Sequence, residues 1–522
     1  MGIGQMSLEP KEYDVVIVGA GMGGLSSGAF LAKEGKSVLI LEKHNKPGGY
    51  VTSFTRGEYT FDSAIFHLTD MGEGQTIPQF IRYWGEEIRA TRVHYRFRCF
   101  IGNQEYIVNS QSAQQDLIRY FPEEANAIKK FFSLSARMMD ETLSQGAPKP
   151  PYEMSWLEKI VFGVTAVFKR PLFLRYATRS SVEFLERHFK SKRLASLLWS
   201  YYPLHSLIFF AHVFGWETAV RGETYYPQGG MQAIPNAAVE AIKRNGGEVV
   251  LNCEVERILV EEGRAVGVRC TDGREFYADV VISNAPIHHT LSKLLEGVSG
   301  LDGLRAEVEK REVCCSGVFV FLGVDQSYDF DGVNFFAILE EDTIDIPEER
   351  LTPQNCSVLL IVPPQPRGQA DYSVILAAML PYEYEHCWRT GCTRKRGEAY
   401  RQLKAQVKNI LLDRICERLG EEFRGAIRYS LASTPLTFER YTYNEKGAFM
   451  GWKVDRAHYG KFIPQTTPIE NLYLVGHWVF PGFGVPGVMA SGYYVAKTIL
   501  AKEGIDLEKR MKDHFERHKN VQ

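Results

Sequence analysis

The sequence has no CxxC pair among its nine cysteines, which are scattered through 522 residues at Cys99, Cys253, Cys270, Cys314, Cys315, Cys356, Cys387, Cys392 and Cys416. Neither a disulfide framework nor a zinc ribbon is expected from that spacing, and the thiols read as reduced, in a reducing compartment. Charge of one sign is also missing: 61 Lys and Arg stand against 63 Asp and Glu, a formal charge of -2. No basic footprint for nucleic acid is left by such a balance. Residues 1–13 hold no apolar stretch behind a basic start, so a secretory signal and export are not expected. Internal repeats are absent, and proline-rich sequence is confined to a connection at 147–152 (APKPPY). What remains is 45% hydrophobic and 24% charged, the composition of a soluble or peripheral globular chain long enough for two to four domains.

The first apolar run, 13–19 (YDVVIVG), is β-branched like a strand buried in a parallel sheet. Residues 23–35 follow as a helix of small and apolar residues, and 36–42 (KSVLILE) as a second strand, making a right-handed βαβ unit. A second βαβ-like stretch starts at Gly229, with a helix at 231–245 and strands at 248–252 and 257–261. Strands at 264–270 and 275–283 then form a meander around the Asp272-Gly273 turn. The last such piece is a strand at 471–475, glycine-rich turns, and a helix at about 488–501. Between these pieces lie helices and strands such as 317–324 and 373–380, without a glycine fingerprint.

Gly19-Ala20-Gly21-Met22-Gly23-Gly24 fits GxGxxG directly after the first strand. Gly19 allows the tight turn, Gly21 lets backbone approach a pyrophosphate, Gly24 lets helix and strand pack, and the helix N-terminus faces the phosphate charge. Glu42 ends the next strand about twenty residues on, where an acid binds both ribose hydroxyls and disfavours a 2′-phosphate. Gly48-Gly49 forms a tight turn that reads either as passing a flavin diphosphate or as an ordinary surface turn. In the run 475–488 (VGHWVFPGFGVPGV) glycines are packed before a helix, which gives amides access to a ring or phosphate. Gly476 is expected beside the ribityl and pyrophosphate, and 482–488 at the isoalloxazine edge. The expected cofactor is FAD rather than NAD.

These motifs, with YPQGGM at 226–231, ISNA at 282–285, TPLT at 434–437, RYT at 440–442 and Ser491-Gly492, resemble the phytoene desaturase, carotenoid isomerase and retinol saturase family of flavoproteins over nearly the whole chain. The resemblance implies an α/β fold: a Rossmann-type, glutathione-reductase-like FAD-binding domain from 10–85, 225–300 and 443–505, with an interleaved α+β substrate domain from 86–224 and 301–442, then a charged, solvated C-terminal helix at 506–522. It implies that Val255 gives a backbone contact to adenine and that Gly229 and Gly230 start the second helix beside the substrate cavity. The cofactor-binding set expected is Gly19, Gly21, Gly23, Gly24, Glu42, Lys43, Gly48, Gly49, Val255, Asn284, Gly476, Gly484, Val485 and Val488. No catalytic, substrate or metal residue is assigned. The chain departs from the family's FDxG at Phe61-Asp62-Ser63-Ala64, where the Ala64 methyl is expected to restrict the backbone and reshape the substrate slot.

The activity implied is desaturation or cis–trans isomerisation of a carotenoid or other long apolar isoprenoid, with retinoid saturation as the alternative and a quinone, oxygen or separate donor as electron partner. Two rivals share the fold, an amine oxidase and a flavin-free isoprenoid carrier of the Rab GDP-dissociation-inhibitor type. The glycines and Glu42 weigh against the carrier. His67, between Phe66 and Leu68, reads as a satisfied core histidine rather than a proton relay, and His477 as a residue that orients backbone. His386, Cys387 and Cys392 fit no zinc spacing. Residues 194–216 carry no charge but are broken by Pro203 and two histidines, while 156–176 mixes aromatics with lysine and arginine. The stretch 156–216 therefore reads either as a membrane-docking segment or as buried helices lining a lipophilic tunnel. Docking implies a peripheral membrane protein of a cytoplasmic or plastid-type compartment.

Overall fold

The computed structural model describes residues 12–143, 150, 152–364, 371–393 and 395–519. Of the proline-rich connection at 147–152, only Pro150 and Tyr152 lie among them. A β-branched strand needs cover on both faces, and Glu12–Val18 (β1) has it. Val38–Leu41 (β2) runs parallel on one side and Glu275–Ser283 on the other, with Val16 opposite Leu39 and Val281. Helix α1 (Met22–Lys33) connects β1 to β2, and its residues from Met22 to Ala32 are all buried. Leu25, Phe30 and Leu31 are wholly shielded from solvent, each stabilising the fold by about 1.5–3 kcal/mol.

Small residues bring the layers together. A Cβ on Gly28 would stand 2.8 Å from Ile40 Cδ1, and one on Gly492, in the helix Val485–Lys502, 2.5 Å from Gly23 O. Ser26 Oγ donates to Met489 O at 2.8 Å across that helix contact. The sheet runs Val255–Glu261, Arg264–Cys270, Glu275–Ser283, β1, β2, Glu248–Val250. Arg264–Cys270 pairs with the first half of Glu275–Ser283, and Leu472–Leu474 takes the second half. The chain's last strand is thereby delivered beside its first. The helix expected at 231–245 begins at Ala233, because Gly229 and Gly230 turn through φ values of 91° and 80°.

A second seven-stranded sheet takes Arg96–Ile101 and Gln104–Asn109 from one insertion and five strands between 317 and 433 from the other. Phe335–Leu339 runs parallel to Arg96–Ile101, joining the two insertions into one sheet. The helix Leu507–Lys519 is not wholly solvated: Leu507 is buried, Met511 and Phe515 pack on the main core, and Arg510 lies 3.7 Å from Glu34.

The uncharged run 194–216 is interior. Lys192–Trp199 and Phe209–Val220 bury Trp199, Phe209 and Trp216, and no helix among the described residues is long and apolar enough to cross a membrane. Within 156–216, large apolar side chains reach solvent only between 156 and 174. His212 lies wholly buried with neither ring nitrogen partnered, and desolvation pulls its pKa from 6.5 to about 3. The unfolded chain takes up the proton first, so stability is lost as pH falls from about 6.5 to about 3. His212→Phe is expected to lessen that acid loss by up to about 5 kcal/mol, read from denaturant unfolding at a series of pH values. Equal slopes in variant and parent would refute this.

Candidate flavin site

The phosphate loop is built where β1 turns into α1. Gly19 turns at φ 94° while its N–H donates to Leu41 O at 2.8 Å. The side-chain amide of Asn284 fills the space that Cβ atoms would take: one on Gly21 would lie 2.4 Å from Asn284 Nδ2, and one on Gly23 2.7 Å from Asn284 Oδ1. Gly476, at φ 106°, closes on the same amide and donates to Ser491 Oγ at 2.8 Å. A Cβ on Gly24 would meet Gly19 O at 2.3 Å. Backbone thus lies against backbone, with the first turn of α1 left open to an anion.

Glu42 is held by two amides, Ala20 N to Oε2 at 2.7 Å and His44 N to Oε1 at 2.8 Å, which aims the carboxylate at the loop. The Gly48-Gly49 turn, with φ values of 122° and 59°, is pinned to the same loop by Gly48 N donating to Ala20 O at 2.8 Å. Lys43 Nζ sits 3.0 Å from the centre of the Tyr443 ring and donates to Arg440 O. Burial lowers its pKa to about 8, with Glu254 and Glu42 opposing. Tyr443 also stacks on His289 at 4.5 Å and donates to Glu254 Oε1 at 2.6 Å.

One cleft of about 1170 Å³, counting its open mouth, is lined by all the expected residues except Gly23 and Gly24. Those two pack the wall from behind. Val255 lies at the end with Cys253, Glu254 and Leu294, while Gly484, Val485 and Val488 form the turn into the last sheet-covering helix. Gly482 lies instead in a neighbouring apolar cavity of about 430 Å³ with Tyr459, Phe462 and Phe483. The cleft and this cavity share His477 and Trp478.

Several lining residues carry no sequence signal of their own. Asn444 Oδ1 accepts from Trp478 Nε1 at 2.9 Å and from His477 Nε2 at 3.2 Å, so His477 orients a side chain across the cleft rather than backbone. Its ring stacks on Tyr50, and burial lowers its pKa to about 4. Tyr50 in turn donates to Ala448 O at 2.9 Å, tying the 441–449 segment to the turn after Gly49. The RYT motif at 440–442 pointed to that segment, but only folding brings it over the cleft.

The FDSA turn is anchored rather than strained. Asp62 accepts from Ser53 Oγ at 2.6 Å, Tyr226 OH at 2.6 Å and Met231 N at 3.1 Å, while burial pushes its carboxyl up against these donors. The YPQGGM motif therefore clamps this turn, and Ala64 does not fall among the residues with positive φ, so its methyl costs nothing there. Ile65 reaches the cleft; His67 does not line it. His67 is only half satisfied, with Nε2 3.2 Å from Tyr202 OH and Nδ1 unpartnered, and burial lowers its pKa to about 4.

A glycine-walled slot with an aimed carboxylate at one end and apolar side chains at the other suits an elongated flavin nucleotide: there is no space for Cβ atoms where phosphate must lie. The chain matches the family described as flavin containing amine oxidoreductase over residues 22–296. It is 27% identical to the all-trans-retinol 13,14-reductase of Rattus norvegicus, over 95% of this chain and 87% of that protein. It is 26% identical to the chloroplastic prolycopene isomerase 1 of an Oncidium hybrid cultivar, over 95% and 85% respectively. An oxidoreductase crystal structure from Methanosarcina mazei shares the fold at TM-score 0.58 and 18% identity, covering 93% of this chain and 100% of that one. With the matched segment spanning just over half of the sequence and holding the start of α1, Glu42, Val255 and Asn284, the chain belongs to the flavin containing amine oxidoreductase family.

Proposed function

We propose that this chain is an FAD-dependent oxidoreductase acting on a long apolar polyene, by carotenoid desaturation or cis–trans isomerisation. The observation that carries the reading is the one cleft in which the 18–22 loop, 41–43, 48–51, 253–255, 284–286 and parts of 475–488 (475–478, 484–485 and 488) meet, continued by apolar walls. Glu42 would hold the ribose, the Gly19–Gly24 amides and Asn284 the pyrophosphate, Val255 the adenine, and Gly476 to Val488 the ring. Lys43, lying beside Glu42 and Tyr443, adds positive charge at the ribose end. Bound there, FAD supplies a two-electron couple that takes or returns a hydride, or in its reduced form lends the electron density under which a double bond rotates.

The chain's own residues hold, align and keep water out. Val51, Ile65, Phe449, Val485 and Val488 give the cleft an apolar wall. The histidines lining it, His289 and His477, are held neutral by burial at about 4, and Tyr50 is raised to about 12. None of these is set to trade protons near neutrality, which suits a hydrocarbon whose reacting bond carries no acidic group. One dinucleotide fingerprint is evident in the sequence, so the electron partner proposed is a quinone, oxygen or a separate donor rather than NADPH bound beside the flavin. Reduction of an isoprenoid double bond is the second reading, favoured by the relative named a retinol 13,14-reductase. Peripheral attachment to a membrane in a reducing, cytoplasmic or plastid-type compartment accords with a substrate that resides in lipid.

The test is anaerobic photoreduction followed by incubation with phytoene, poly-cis lycopene or retinol, with products separated by chromatography and weighed by mass spectrometry. A product of unchanged mass formed only with reduced flavin means isomerisation; loss or gain of two hydrogens means desaturation or saturation. If no polyene perturbs or reoxidises the flavin, the reading is wrong.

A further inference from the structure

A surface helix normally turns its apolar face inward. Trp156–Lys169 does the reverse. Ser155 fixes its start with a capping box, Glu158 N donating to Ser155 Oγ at 3.2 Å and Ser155 N to Glu158 Oε2 at 2.7 Å. Ala166 is its sole buried residue. At 3.6 residues per turn, Trp156, Leu157, Ile160, Val161, Val164, Val167 and Phe168 fall on one arc of about 140°. That arc points to solvent, with Trp156 68% and Phe168 80% exposed.

Cations rim the face. Lys159, Lys169, Arg170, Arg175 and Arg179 outnumber Glu153 and Glu158 between 153 and 179. Arg170 lies over the Phe162 ring at 5.9 Å, and Arg175 and Arg179 lie over Tyr176 at 5.3 and 5.1 Å, so their stems cover apolar surface while the guanidinium groups stay at its edge. The following helix, Pro171–Tyr176, is tied down by Leu172 N and Phe173 N donating to Glu141 Oε2 at 3.0 Å. Phe173 meets Phe210 at 5.0 Å, and Phe210 meets Tyr459 at 6.2 Å. Tyr459 lines the small apolar cavity that shares His477 and Trp478 with the flavin cleft.

We propose that the Trp156–Lys169 helix lies in the interface of an anionic lipid bilayer, apolar arc down, with the flanking cations on lipid headgroups. In that pose the Phe173–Phe210–Tyr459 path leads from the bilayer toward the cavity. Loading of a polyene along this path rests on the proposed function; the docking does not. A second copy of the chain is a poorer occupant. A helix about 21 Å long and ~10 Å wide offers roughly 200 Å², against about 800 Å² per partner in a stable interface. The cation rim would also face itself across a dimer.

The experiment is flotation of the flavin-loaded full chain with vesicles of phosphatidylcholine alone or mixed with phosphatidylglycerol. The chain is expected to float with the mixed vesicles and to bind more weakly as salt rises. Trp156→Ser with Phe168→Ser should weaken binding about a hundredfold to both vesicle types. Lys169→Glu with Arg170→Glu should weaken it at least about tenfold on the anionic vesicles alone. Both variants should keep visible flavin absorbance and unfolding temperature, since their side chains lie outside the core. A parent chain that stays with neither vesicle, serine variants that float like the parent, or a parent dimer that the serine variant splits would each overturn the proposal. Chain that floats but is colourless would instead sink the flavin reading and leave the docking standing.

Discussion

Gly23→Val is expected to yield a folded chain that purifies with much less flavin, its affinity lowered by about ten- to a hundredfold. A Cβ at Gly23 would stand 2.8 Å from Gly476 N and 2.7 Å from Asn284 Oδ1. Neither side can withdraw: Gly476 N is committed to Ser491 Oγ, and Gly492 already presses on Gly23 O from the opposite helix. Overpacking of this kind costs about 1–3 kcal/mol, and the strain is relieved most readily by parting the two walls that must grip the nucleotide. Gly21→Ala is the milder comparison, because its Cβ would meet the end of the Asn284 side chain, which can swing aside. The ratio of flavin to protein absorbance after purification, with an unfolding curve for each variant, measures the effect. Stoichiometric flavin in Gly23→Val would show that the wall is softer than its geometry.

Asp62→Ala is expected to cost about 3–5 kcal/mol, among the largest effects of a single change in this chain. The carboxylate is buried and accepts from Ser53 Oγ, Tyr226 OH and Met231 N. Truncation strands all three donors and frees the FDSA turn from the YPQGGM segment at once. Asp62→Asn keeps one acceptor oxygen, and the two hydroxyls can reorient, so about 1–2 kcal/mol is expected. Denaturant midpoints would order the three chains parent, Asn, Ala. Flavin release should follow the same order, because Ile65, three residues on, lines the cleft. An alanine variant as stable as the asparagine one would remove Asp62 from this role.

The phosphate loop, Glu42 and the glycine-rich run at 475–488 were legible because their backbone demands restrict residue choice: a φ of 94° at Gly19 or 106° at Gly476 leaves little but glycine. The βαβ unit and the meander were legible from period and turn chemistry. What sequence order hid is contact between distant side chains. Asn444 joins Trp478 and His477 across the cleft, and nothing in NEKG announces it. Gly23 and Gly24 were placed with the ligand by motif, and the structure shows that they also pack α1 against Gly476 and Gly19. The uncharged run 194–216 shows the limit of composition: buried helices and a lipid-facing segment use the same residues, and only the fold around Trp199 and Trp216 separates them. The outward-facing helix at 156–169 was ambiguous for the same reason.

The strand Leu472–Leu474 docks beside Glu275–Ser283, and the 475–488 wall follows it. During translation at about 5–20 residues per second, the nascent chain therefore spends roughly 25–100 s with a phosphate loop but no far wall. Coenzyme capture becomes a post-synthetic event, and the yield of coloured protein in a cell should track riboflavin supply and chaperone capacity rather than the rate of protein synthesis.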